Sequence, residues 1–493
     1  MGIIANQASR NSISILVGTI AGAINTLFVL PRAFNDHPEQ WGIISILLAW
    51  GVILSQLFNN GAGNLIIRFL PKLSSSEQPK LLGLSMLLTS VGTLLFLISF
   101  GLFGEDIIGW ISPGDAKVIS NNVILLLVLT ASLIFFSSFV GYVTAILKST
   151  VVQFLQEVVL KMTYLLIAIL YWQDCISYTS MLWALVLSYT LVAAFLVFYA
   201  FAMGFRISSP ALLKNKTKYL TYSFYSILDR GANMIVSRLD ILMIGIILGI
   251  ESVAFYVLAF YIGAVTQMPQ KSIMAIANPI AAKAIANKDD EDLKHVYQQS
   301  SRMQLLLGGG LFACIWVSIS ELMQLFPAKF QGAELVVLFI GLSKLFYMAT
   351  GVSGGMIVYS EYYKKNLGLN IGLIVLTIVT NYFFLSSDYI DMGITGAAIA
   401  TCITLAVYNI GKIIVIKRKF NLLPFSPKYW GAAAIIPICS MIYFIQLPLH
   451  PFFGIILKSG TCFVLFVALE RMFNLAPEIS QILPKWLTFR NKD

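Results

Sequence analysis

Apolar runs long enough to cross a bilayer follow one another along the whole chain, parted by short polar breaks. Roughly 20 apolar residues rising 1.5 Å each span ~30 Å of hydrocarbon, so this pattern predicts about fourteen transmembrane helices. Their expected limits are 11–31, 41–67, 81–103, 118–146, 150–171, 178–203, 219–249, 252–282, 302–325, 333–360, 366–385, 392–416, 429–447 and 452–470. The short alternating segments of an outer-membrane barrel are absent, which excludes that class. The expected fold class is an all-α polytopic membrane protein.

Composition agrees with the pattern. The 493 residues are 58% hydrophobic and 11% charged, where a soluble chain carries about 25% charged residues. Of five cysteines, Cys314, Cys402, Cys439 and Cys462 lie inside apolar runs and Cys175 stands alone in a short loop. They form no disulfide or metal-binding framework by spacing, and no metal site is expected. The first apolar run lacks a small-residue cleavage site and reads as a retained helix.

Charge sets the orientation. Alternate loops carry Arg10; Arg68, Lys72 and Lys80; Lys148; Arg206, Lys214, Lys216 and Lys218; Lys283, Lys288, Lys294 and Arg302; Lys364 and Lys365; Lys417, Arg418, Lys419 and Lys428; and a basic tail. The opposite loops carry only Arg32, Lys117 and Lys329. By the positive-inside rule both termini are cytoplasmic. The net charge of +10 is then a topology signal, and nucleic acid is not an expected partner. The outer loops are short, which leaves no room for the outer domain of a membrane glycosyltransferase or polymerase. The inner stretches 204–218 and 283–302 read as polar linkers.

Two stretches match weakly: "PEQWGIISILLAWGVILSQ" (Pro38–Gln56) and "GIESVAFYVLAFYIGAVTQ" (Gly249–Gln267). Each has an outer turn with a Glu, then a small residue plus aromatics, then a helix carrying a Gln that runs on into a basic stretch. Six spans separate them, so a parallel repeat of six helices is expected, with substrate held between two halves that rock. The domains expected are 1–210, an N-terminal six-helix bundle; 211–420, a second bundle related by pseudo-two-fold symmetry; and 421–493, two extra helices and a tail.

The stretch "SRLDILMIGIILGIESVAFYVLAF" holds Asp240, Ile244-Gly245, Gly249 and Ala254-Phe255-Tyr256. It resembles the turn from the seventh to the eighth helix of the polysaccharide/O-antigen (Wzx-type) flippases of the multidrug/oligosaccharidyl-lipid/polysaccharide exporter superfamily. "NYFFLSSDYIDMGITGAAIAT" (Asn381–Thr401) is similar to the start of that family's twelfth helix. Ala254 stands where the family often has Gly, and both are small. The resemblance implies a non-enzymatic transporter, a flippase in the bacterial cytoplasmic membrane. Its cargo would be an undecaprenyl-pyrophosphate-linked oligosaccharide for surface polysaccharide biosynthesis. It further implies membrane lipids and polysaccharide assembly proteins as partners, and no cofactor; coupling to sodium or protons stays open.

The residues themselves speak to the cargo. "SILDRGANMIVSRLDILMIGIILG" (Ser226–Gly249) is apolar yet carries four charges. At 100° per residue, Tyr222, Ser226, Asp229, Asn233, Ser237 and Asp240 fall within about 100° of Arg230 on one side, and Arg238 about 80° away on the other. A stripe of this kind suits a helix lining a wet cavity. Ionised groups at a helix centre cost on the order of 2.5–3.5 kcal/mol, which an anionic substrate would offset. Arg230 and Arg238 are therefore candidate phosphate ligands. Lys344, with no carboxylate at i±3 or i±4, and Lys271, just past Pro269, are candidates too. Asn233, Asn59, Asn60 and Arg68 are candidate cavity residues, with helix packing as the alternative for the amides. Asp240, Asp229, Glu157 and Lys161 read as ion-coupling or pairing residues; Glu157 and Lys161 are spaced as an i,i+4 pair. Lys412 and Lys458 lie near helix ends and are expected to snorkel. The in-span carboxylates are Asp229, Asp240 and Glu157, which leaves the interior positive.

These features favour alternating access through a cationic cavity between helices 1, 2, 7 and 8. A drug/cation antiporter of the same superfamily would need an unpaired acid in the first bundle. A lipid II flippase differs only in cargo, and the arginine pattern of that family is missing near the first two helices.

Overall fold

The computed structural model describes residues 2–111, 122–210, 213, 216–386, 390–445 and 448–477. Among them every regular element is a helix, as the apolar periodicity requires. The order is α1 (Gly2–Ile24), a π-turn (Asn25–Val29), α2 (Leu30–Ala33), α3 (Pro38–Phe58), α4 (Ala62–Phe69), α5 (Gln78–Ile111), α6 (Val123–Ala145), α7 (Ser149–Phe154), a second π-turn (Leu155–Val159), α8 (Leu160–Trp172), α9 (Tyr178–Ala202), α10 (Lys216–Ile247) and α11 (Ile250–Ala264). Then come α12 (Met268–Asn287), α13 (Asp290–Val317), α14 (Ile319–Met323), α15 (Glu334–Met348), α16 (Ser353–Tyr359), α17 (Tyr363–Leu385), α18 (Gly393–Phe420), α19 (Pro427–Ser440) and α20 (Pro451–Met472).

Among the described residues ten helices are long and apolar enough to cross a membrane, eleven with the bent pair α15–α16 counted as one. The other three expected spans are helical as well. α10 carries the polar stripe, α13 begins with an acidic turn, and α19 is only 14 residues before a 3₁₀ turn continues it. Large apolar side chains such as Leu191, Phe198, Val379 and Phe463 are exposed on the protein surface, as faces meeting lipid tails should be.

Two expectations change, and one holds with a local irregularity. The span expected at 41–67 is broken: α3 ends at Phe58, Asn60 and Gly61 take φ of 55° and 68°, and α4 restarts at Ala62. Such left-handed conformations suit Asn and Gly, and they end the helix. The span expected at 252–282 is one apolar helical stretch, Ile250–Asn287, with the 3₁₀ turn Val265–Gln267 ahead of Pro269, which sits in the first turn of α12 where its missing N–H costs nothing. The stretch expected as a linker at 283–302 is mostly helix. Asp289 caps α13, its carboxylate accepting from the Asp292 amide at 3.0 Å, with Asp290, Glu291 and Asp292 in the first turn, where the helix dipole favours acids.

The chain divides into two compact units, Met1–Leu258 and Ala259–Asp493. In the first, α3 and α4 pack on α6, α9 packs on α6 and α8, α10 packs on α3 and α4, and α1 packs on α7 and its following π-turn. Its core joins Leu65, Ile66, Phe139, Val143 and Leu196. The α4–α6 contact is drawn close by small residues: a Cβ on Gly141 would collide with the Gly63 carbonyl, the packing expected between helices in lipid. In the second unit α13 packs on α12, α15, α19 and α20, and α18 packs on α15 and α17.

Candidate functional site

The break in the first unit opens a cavity of about 530 Å³, within the ~300–1,000 Å³ typical of small-molecule sites. Its polar wall is made of Ser55, Gln56, Asn59 and Asn64 from α3–α4, Ser137 from α6, Gln156 from the second π-turn, Tyr189 from α9 and Ser226 from α10. Phe136, Leu133 and Leu160 supply apolar surface. No carboxylate lines it among the described residues. Amides and hydroxyls without fixed charge present both donors and acceptors, the complement of sugar hydroxyls.

The predicted residues whose side chains are described fall in distinct places. Asn59 is buried, and both its amide hydrogens are committed, to the Ile134 carbonyl and the Ser138 hydroxyl at 2.9 Å each. Ser138 and Thr89 share a further hydrogen bond at 2.7 Å, so Asn59 ties α3 to α6 and α5 and offers the cavity only its carbonyl oxygen. Asn60 faces away from the cavity: its amide donates to the Leu88 carbonyl at 3.0 Å, and its own carbonyl accepts from Ser223. Its packing role follows from the left-handed turn it makes. Arg68 is exposed at the end of α4, its guanidinium 4.4 Å from the Tyr222 ring centroid. Gln56 and Asn64 stand in the same polar run of the sequence as Asn59 and Asn60, and Ser226 in the polar stripe, each reading equally well as packing; Gln156 carried no such signal. Asn64 donates to Ser226 at 2.6 Å and so joins α4 to α10 across the cavity wall.

On α10, the backbone carrying Asp229, Arg230 and Asn233 is helical, while their side chains lie outside the described residues. So do Arg10, Lys117, Lys214, Lys364 and the basic tail. Two described members of the stripe turn toward α4: Ser226 lines the cavity and Tyr222 stacks on Arg68, while Ser223 beside them bonds the Asn60 backbone carbonyl. Arg238 is half-buried within electrostatic reach of the cavity residue Tyr189. Asp240 is buried and accepts from the Tyr256 hydroxyl of α11 at 3.0 Å. Tyr256 belongs to the small-aromatic-Tyr step seen in the sequence, but only the structure shows its partner. Lys161 donates to Glu157 at 2.6 Å within one helix.

In the second unit Lys344 is half-buried with its ammonium 5.0 Å from the Phe260 ring centroid, and Lys271 is exposed on α12. The two lysines expected to snorkel do not. Lys458 is 4% exposed and paired with Glu321 of α14; Glu321 is an in-span carboxylate missing from the sequence tally, so the interior is less positive than expected. Lys412 is 3% exposed, its ammonium 4.5 Å and 4.6 Å from the ring centroids of Tyr347 and Tyr408. Burying an ion costs several kcal/mol. Two desolvated ring faces return about 2 kcal/mol each. Helix-end position predicted snorkelling; ring faces from α15 and α18 hold the charge inside instead.

Comparison with known proteins bears on the same architecture. Residues 8–283 match the family described as polysaccharide biosynthesis protein, and residues 226–383 match the MatE family. A probable low-salt glycan biosynthesis flippase, Agl15, of Haloferax volcanii is 25% identical over 228 residues, 45% of this chain and 47% of the relative. The chain thus matches about half the length of that relative. Among solved structures, the lipid II flippase MurJ in an inward closed conformation superposes with a TM-score of 0.70 at 13% identity, covering 95% of this chain and all of that one. An inward-facing MATE multidrug transporter superposes with a TM-score of 0.64 at 14% identity, covering 84% and 98%. At these identities the likeness is one of fold.

Proposed function

The chain belongs to the polysaccharide biosynthesis protein family, and from that premise we propose that it is a flippase for a polyprenyl-pyrophosphate-linked oligosaccharide. It would carry the cargo from the inner to the outer leaflet of a bacterial cytoplasmic membrane by alternating access, with both termini in the cytoplasm. The six-helix bundles 1–210 and 211–420, with 421–493 as an appendage, are the proposed moving parts.

The observation that carries this reading is the neutral polar cavity of the first unit. Its amides and hydroxyls suit a glycan. A drug/cation antiporter needs a carboxylate to hold its cargo, and among the described residues none lines the cavity; Glu157 nearby is engaged by Lys161. Arg238, within electrostatic reach of Tyr189, would supply positive charge for the pyrophosphate, joined in this reading by Arg230, Lys344 and Lys271. No covalent step is required, since the bonds of the cargo are unchanged by its passage.

The test is a Gln56→Leu/Asn64→Leu double variant, which removes the amides and keeps the bulk. Surface glycan export should fall at least tenfold with normal protein in the membrane. Undiminished export would remove the cavity from the transport route. Arg238→Ala should abolish export in the same assay, by loss of the pyrophosphate contact.

A further inference from the structure

The second unit contains a smaller pocket, of about 230 Å³, where α15 and α16 are bent by 47°. Non-helical backbone at membrane depth is tolerated where it lines a cavity, and broken helices build the binding sites of many transporters. Here the break brings Gly351, Gly354 and Gly355 to the wall, opposite Asn278 of α12 and Lys412 of α18.

Three features point to a ligand. Lys412 is buried against the faces of Tyr347 and Tyr408, and among the described residues no carboxylate lines the pocket or pairs with this lysine. The Asn278 carboxamide oxygen is buried and lacks a hydrogen-bond partner among the described residues; a Cβ on Gly355 would collide with it. The platform is fixed from behind, since the Tyr408 hydroxyl donates to Asn370 at 2.8 Å and Thr350, within the break, donates to Asn409 at 3.2 Å. A buried cation with no carboxylate partner is the arrangement of an anion site; the Asn278 oxygen is an acceptor, so this amide serves an anion only when the carboxamide is flipped to put its NH₂ in that position.

We propose that this pocket is an oxyanion subsite in which the Lys412 ammonium, backed by two tyrosine faces, and the Asn278 amide, turned to present its NH₂, receive one phosphate-class group. The volume lies below the ~300 Å³ at the small end of drug-sized pockets, so it admits such a group and not an oligosaccharide. The group has two sources: the pyrophosphate head of a carrier lipid, which rests on the function proposed above, or a free inorganic anion.

The test is binding to the full chain in nanodiscs, with two probes: inorganic pyrophosphate in solution and undecaprenyl pyrophosphate, without glycan, in the disc. Wild type should bind at least one. Lys412→Met should weaken that binding at least tenfold and Asn278→Leu at least fivefold, while the exposed Lys329→Gln variant binds as wild type. Binding of the lipid alone assigns the site to the carrier head; equal dependence on Lys412 for inorganic pyrophosphate assigns it to a free anion. Should Lys412→Met fail to fold, unchanged affinity in Asn278→Leu overturns the proposal, as does wild type that binds neither probe. A wild type that flips glycan yet binds neither probe overturns this site and leaves the transport reading standing.

Discussion

At the scale of single residues, the chain answers a charge inside hydrocarbon in three ways. Lys161 meets Glu157 one turn away on the same helix. Lys458 meets Glu321 from another helix. Lys412 meets ring faces. Only the first was legible in the sequence, because i,i+4 spacing is local, whereas the partners of Lys458 and Lys412 come from distant segments. The Lys458 pair gives a measurable consequence. Removing one partner of a buried ion pair costs about 3–5 kcal/mol, while replacing both with apolar groups is nearly neutral. Lys458→Met should therefore lower the thermal stability of the detergent-solubilised protein markedly, and Lys458→Met/Glu321→Leu should recover most of the loss. A double variant as unstable as the single one would show that the pair is not what joins α20 to α14.

At the scale of elements, breaks inside spans shape the cavities. The apolar pattern located nearly every helix, but it passed through Asn59-Asn60-Gly61 as though the span were continuous. The signal was present, since Asn-Gly marks turns; hydropathy outweighed it because both flanks are apolar. The polar run Gln56, Asn59, Asn60 and Asn64 was visible, but in a span an amide serves packing or cargo equally well, and only what faces it separates Asn60, turned away, from the other three, which line the cavity. Gly61 tests how tightly the break is built. It has φ of 68°, and a Cβ there would lie 2.6 Å from the Ser223 carbonyl oxygen. Gly204 has φ of 91° with nothing within 4 Å of an added Cβ. Both Ala substitutions incur a left-handed penalty of about 1–2 kcal/mol, and Gly61→Ala adds a backbone clash. A thermal melt should show a clearly larger drop for Gly61→Ala; equal drops would argue against close packing of α4 on α10.

At the scale of the whole molecule, fold and family were legible and cargo was not. Span length, the Asp240-to-Tyr256 motif and the Asn381–Thr401 motif pointed to the family that the match over residues 8–283 establishes. A glycan is chosen by many neutral contacts spread over a cavity wall, and a single chain's pattern of apolar and polar positions does not encode which sugar those contacts fit. The most direct measurement follows an undecaprenyl-pyrophosphate-linked oligosaccharide in proteoliposomes, using an impermeant glycosidase to read the leaflet that holds the sugar. The account predicts that the purified protein makes inner-leaflet glycan accessible from outside, and that the Gln56→Leu/Asn64→Leu variant does so at least tenfold more slowly. Glycan that stays in its starting leaflet with the wild-type protein, with and without sodium and proton gradients, would contradict it.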